Sequence, residues 1–227
     1  MVGISGAAAA SASLLLTACG APGEAPGRDP FTATGELIAL SGGEAGPRNA
    51  CFTCHGLEGQ GDGQGAPRLA GLSVGYLAKQ LQDYADGRRP DPSMHAIAGK
   101  LSQEQTLSVA EWYAAMPPPA PTTQPTGAAS PDVVALYHQG DAERGLKACA
   151  ECHGAQGQGV GPANPPLAGQ PPAYLAEQLK LWREGKRKNS PQGVMLQIGQ
   201  ILDEPEIAAL SAYAAGLPGG RTPDRRP

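Results

Sequence analysis

The chain has 227 residues and a net charge of −4, with 4% aromatic and 17% charged side chains; Gly 32 and Pro 23 make up about a quarter of it, roughly twice average usage. The acidic balance excludes a nucleic-acid binder, whose affinity rests on a basic stripe, and there is no run of 18 apolar residues to span a membrane. With so few large apolar side chains, the core needs something other than polypeptide to fill it.

Residues 1–18 read as a signal segment. Gly6–Ala18 is Ala-rich and includes Leu14-Leu15-Leu16, a length suited to the apolar stretch of an export signal. Leu16-Thr17-Ala18-Cys19-Gly20 has the form of a bacterial lipoprotein cleavage box, which makes Cys19 a candidate lipid anchor and accounts for an odd fifth cysteine. The competing reading is an ordinary secretory signal, with Cys19 removed or left free. Both place the rest of the chain in the periplasm. Residues 19–34 have the composition of a flexible linker.

A first helical unit is predicted over 35–116. Its first helix ends in the turn Cys51-Phe-Thr-Cys54-His55, and a Gly-rich loop follows. The next helix is predicted over Tyr76–Asp86, with Leu77, Leu81 and Tyr84 on one face and Gly87 as its stop. The last begins at Ser102, with Gln105 at capping-box spacing, and ends at Pro117. Residues 117–131 hold six prolines and form a Pro-rich linker, favouring extended structure at about 3.1 Å per residue. A second unit over 132–218 repeats the plan. Its turn is Cys149-Ala-Glu-Cys152-His153, a helix near Tyr174–Glu184 stops at Gly185, and the last helix is capped by Asp203 with Glu206. Residues 219–227 read as a disordered tail.

The repeat is close. A shift of 98 lays 51–89 on 149–187 without a gap, with 19 of 39 positions identical; three extra residues then enter the second copy, and a shift of 101 restores the match. Cys-x-x-Cys-His is the attachment pattern of c-type haem: two thiols add to the porphyrin vinyl groups while the adjacent imidazole meets the iron. A zinc site fits poorly, because both cysteine pairs carry the extra histidine and lie 98 residues apart. A thioredoxin-like motif lacks its βαβ surroundings. Two covalent haem c groups follow, attached at Cys51 and Cys54 and at Cys149 and Cys152, with His55 and His153 as axial ligands.

For the opposite axial position the repeat sorts the methionines. Met94 maps onto Met195, whereas Met116 maps onto Leu217. A thioether ligand raises the potential, as in electron-carrying cytochromes. His95 competes with Met94 in the first unit; its counterpart is Leu196. His138 reads as structural. Pro67 and Pro165, matched in the loops, offer carbonyls for the remaining N–H of the axial histidines, or simply stiffen those loops. Tyr76, Tyr174, Trp112 and Trp182 pack on porphyrin or make ordinary helix contacts. Arg89 and Arg187 fall at helix C-termini, where the dipole favours cations, or pair with haem propionates; Lys186-Arg187-Lys188 reads as a solvated helix end.

These motifs resemble those of the dihaem cytochrome c-4 family. The likeness covers about 35–218 and rests on both Cys-x-x-Cys-His turns, the Gly-Gln-Gly and Pro-x-Leu-Ala-Gly loops, the Tyr-Leu-x-x-Gln-Leu helices, Met94 and Met195. It implies an all-α chain of two tandem class I cytochrome c domains, their haems facing each other across a pseudo-twofold interface. It also implies that Pro67 and Pro165 accept from the axial histidines. The function implied is one-electron carriage from a respiratory cytochrome reductase towards a terminal oxidase or reductase. The alternatives are a cytochrome subunit of a periplasmic dehydrogenase and, third, a dihaem peroxidase, which needs an open iron position. No substrate chemistry is expected of the chain, and its partners are redox proteins.

Overall fold

The structure is a computed structural model that describes residues 1, 3, 34–119 and 129–219. The expected signal segment, the Cys19 box, the middle of the Pro-rich linker and most of the expected tail lie outside them. Among the described residues the chain is helical, and two isolated bridges, Asp141 with Leu146 and Val160 with Asn164, are its β pairings. The first repeat comprises α1 (Gly35–Ser41), α2 (Phe52–His55), α3 (Val74–Ala85), α4 (Pro92–Ala98) and α5 (Gln103–Ala115). The second comprises α6 (Pro131–Gln139), α7 (Cys149–His153), α8 (Pro172–Arg183), α9 (Val194–Ile201) and α10 (Glu204–Ala215).

Local chemistry sets most of these boundaries. Both predicted capping boxes are complete: Ser102 and Gln105 exchange side-chain-to-backbone bonds at the start of α5, as do Asp203 and Glu206 at α10. Gly87 and Gly185 follow α3 and α8 with φ of 72° and 66°, so each helix stops where only a residue tolerant of the left-handed region fits.

The start of each repeat differs from expectation. The first helix does not run into the cysteine turn. α1 stops at Gly42 (φ 79°), where an added Cβ would lie 2.0 Å from the Gly46 carbonyl oxygen, and two 3-10 turns and Pro47 separate it from α2. In the second repeat α6 ends at Gly140 and a tight turn leads to α7. The methionine-bearing helices α4 and α9 were not anticipated. α4 begins at Pro92 behind Asp91, whose Oδ1 accepts from the Met94 N–H at 2.8 Å.

Each repeat has its own small core. Ile38, Leu72, Leu77, Val109 and Tyr113 form the first; Tyr137, Leu146, Leu202, Ile207 and Leu210 form the second. His138 is structural, as expected: its Nε2 hydrogen-bonds the Tyr213 hydroxyl at 2.9 Å behind α7.

The repeats meet through buried polar groups. Arg89 donates to Gln80 of its own repeat and, across the interface, to Gln178 and the Tyr174 hydroxyl; Arg187 donates to Gln178 and, across the interface, to Gln80. This reciprocity gives the interface its pseudo-twofold character, since Gln80 and Gln178, like Arg89 and Arg187, are repeat equivalents. Both arginines are 3% exposed, so the solvated-end reading of Arg187 fails. One asymmetric contact sits beside this pair. Asn189 Nδ2 donates to Asp83 at 2.8 Å, and that buried carboxylate also pairs with Lys79 and, at 3.0 Å, with Arg88.

Candidate functional site

The two cysteine turns open onto one cavity of about 1300 Å³ that spans both repeats. Its lining includes His55 and Met94 from the first repeat and His153 and Met195 from the second, together with Cys51, Cys54, Cys149 and Cys152. The four attachment cysteines, His55, His153, Met94 and Met195 are thus brought to the same space, whereas His95, the rival to Met94, is not among the lining residues. Tyr76, Tyr174 and Trp182 line it as well.

Each histidine is fixed from behind. His55 Nδ1 donates to the Pro67 carbonyl at 2.9 Å, and His153 Nδ1 to that of Pro165 at 2.8 Å. The Gly-rich loop brings the proline close: the Gly61 and Gly159 N–H groups donate to the carbonyls of His55 and His153, both at 2.8 Å. A Cβ on Gly61 or Gly159 would lie 2.6 or 2.7 Å from a carbonyl oxygen of the returning strand of loop, so a side chain there would push the proline away. Burial lowers the pKa of both imidazoles below the usual histidine value, against the opposing pull of the proline carbonyls. Each ring is therefore neutral, with its proton on Nδ1 and a lone pair on Nε2, the state a metal ligand requires.

The methionines are presented by short helices with different caps. Met195 N–H donates to Ser190 Oγ at 3.2 Å, after a 3-10 turn in which Gln192 and Gly193 both have positive φ (53° and 69°). The three inserted residues are absorbed in that turn, and Met195 still reaches the cavity. His95 is exposed, and its Nδ1 donates to the Tyr84 carbonyl at 2.8 Å.

Burial pushes the Cys51 thiol up and the Cys149 thiol up to about 11, so neither is a thiolate at neutral pH. Among the described residues no group of three or more His, Cys, Asp or Glu side chains could hold a metal ion.

The cavity does fit haem. Its lining is mostly apolar and receives, from each repeat, one imidazole, one thioether and two thiols. Among the described residues three of its lining residues carry a buried polar atom without a partner: Arg89 Nε, Trp182 Nε1 and Ser211 Oγ. Orphaned donors of this kind are costly unless an occupant satisfies them, and the carboxylates of a porphyrin have the right chemistry.

A sequence-family model described as Cytochrome c matches residues 41–136 and 140–217. The thiosulfate dehydrogenase electron acceptor of Stutzerimonas stutzeri (strain A1501) is 41% identical over 187 residues, spanning 82% of this chain and 87% of that protein. Among solved structures, thiosulfate dehydrogenase (TsdBA) from Marichromatium purpuratum in its as-isolated form superposes with a TM-score of 0.73 at 38% identity; the match covers 84% of this chain and 41% of that longer one. Cytochrome c4 of Acidithiobacillus ferrooxidans gives a TM-score of 0.66 at 33% identity and covers 74% of this chain and 98% of that one.

Proposed function

This chain belongs to the dihaem cytochrome c4 family, and on that premise we propose that it is a periplasmic one-electron carrier charged by a thiosulfate-oxidising dehydrogenase. It holds two covalently attached haem c groups and is an electron-transfer protein, not itself an enzyme. Bound haem supplies a ferric–ferrous couple at each site.

The protein's own residues do the rest. Cys51 and Cys54, and Cys149 and Cys152, would anchor the two groups as thioethers. His55 and Met94 would hold the first haem's iron, and His153 and Met195 the second's. Pro67 and Pro165 hold the imidazoles in one tautomer and orientation. Arg89 and Arg187 keep positive charge buried beside the cavity. One observation carries the reading: each repeat contributes a matched imidazole and thioether to the lining of a single cavity. A peroxidase needs a free position on one iron; a carrier needs none.

The donor is inferred from relatives named as electron acceptors of thiosulfate dehydrogenase. Two one-electron sites on one chain can take both electrons of a two-electron oxidation, and a terminal oxidase or reductase would receive them. Among the described residues no helix is long and apolar enough to cross a membrane. Export, with a lipid on Cys19, completes the reading.

The test is anaerobic stopped-flow mixing of the oxidised protein with a thiosulfate dehydrogenase and thiosulfate. Both haems should be reduced, at a rate that rises linearly with carrier concentration. Reduction by a quinol-driven cytochrome reductase, with none by the dehydrogenase, would reassign the donor.

A further inference from the structure

The two histidine–proline pairs look alike, yet the peptide that accepts from each histidine differs. In the first repeat the acceptor carbonyl belongs to the Pro67–Arg68 peptide. The N–H of that same peptide donates across the interface to Gln170 Oε1 at 3.0 Å, and Gln170 Nε2 returns a bond to the Arg68 carbonyl at 3.0 Å. Both residues are buried, Arg68 at 3% and Gln170 at 4% exposure. The Arg68 guanidinium holds the arrangement by donating to the Ala70 carbonyl and, at 3.1 Å, to Ala168 of the second repeat.

In the second repeat the equivalent peptide is Pro165–Pro166. It is a tertiary amide with no N–H, and the repeat equivalent of Gln170 is Leu72. Nothing can be donated from that peptide to a side chain. The two acceptor distances are alike, 2.9 and 2.8 Å, so the repeats differ in what polarises the acceptor and not in its reach.

A peptide whose N–H is engaged carries more negative charge on its carbonyl oxygen, because hydrogen bonds in a chain polarise one another. A stronger acceptor draws the Nδ1 proton and makes the imidazole a more basic ligand, which favours the ferric state. We propose that Gln170 of the second repeat is a positioning residue for His55 of the first, lowering the potential of the first-repeat haem alone through the Pro67–Arg68 peptide. The proposal rests on the axial reading of His55 given above. It means that domain contact sets part of the difference between two otherwise matched sites.

The test is a potentiometric titration of the full haem-loaded chain, with each wave assigned to its repeat by NMR of the ligand methionine methyl. Gln170→Met removes the acceptor without changing charge or much volume. It should raise the first-repeat wave, increasing its ferrous-to-ferric ratio severalfold at fixed potential, and leave the second wave unmoved. Asn189→Ala, which cuts other bonds of the same interface, should not reproduce this selective shift. No shift, equal shifts in both waves, or the same shift in Asn189→Ala would overturn the proposal.

Should Gln170→Met fail to fold, the reduced wild-type protein carries the test. There the His55 Nδ1 proton should resonate further downfield than that of His153, and coincident or reversed shifts would overturn the idea. A wild-type first repeat without a histidine–methionine iron would instead refute the axial reading itself, and would show before any variant is made.

Discussion

Replacing Cys51 and Cys54 by alanine should leave one covalent haem per chain and a first repeat that no longer folds. The reasoning starts from the cavity. At about 1300 Å³ it is larger than the usual ligand pocket of about 300–1,000 Å³, and the buried residues around it in the first repeat are few and partly alanine. Without the porphyrin, its half of this space exposes mostly apolar wall to water, and a typical domain has only about 5–15 kcal/mol of stability to lose. Water is a poor substitute for porphyrin against a mostly apolar lining, and Arg89 would keep its unpartnered donor. Intact-mass measurement should show the loss of one haem. Limited proteolysis should cut within 35–116 while 132–218 resists. A variant lacking that haem with the native unfolding midpoint would show that the polypeptide closes the core by itself.

Met195→Ala should lower one of the two midpoint potentials by some tenths of a volt, a fraction of the roughly 0.8 V range that axial ligands span. A thioether is a soft, neutral donor that favours ferrous iron; water or hydroxide in its place favours ferric iron. The same variant should admit cyanide rapidly at that site. The second repeat is the cleaner place for this experiment, because the neighbour of Met195 is Leu196, whereas His95 follows Met94. Met94→Ala should behave alike, since His95 is turned to the Tyr84 carbonyl. An unchanged titration in either variant would remove that methionine from the ligand set.

How far the sequence could be read depended on how local each determinant is. The cysteine turns, both capping boxes and the stops at Gly87 and Gly185 are encoded within a few residues, and each was legible. The cavity-lining histidines and methionines were found because the chain states them twice, in register. The break after α1 was missed because it depends on Gly42 approaching the Gly46 carbonyl, a contact with no periodic signature. α4 and α9 were missed because seven or eight residues give too few turns to display an apolar face. The interface was least visible. Arg68 and Gln170 lie 102 residues apart, and a single buried pair at such separation leaves no pattern in composition or spacing. Arg187 looked like part of a solvated helix end because burial of an arginine is decided by what faces it.

The spectrum of the oxidised wild-type protein, recorded with and without cyanide, tests the central claim most directly. Two six-coordinate sites predict a methionine–iron charge-transfer band of full intensity, no high-spin signal and slow reaction with cyanide. A substantial high-spin fraction that binds cyanide at once would contradict it, since one iron would then hold an open position and the chain would be built for catalysis.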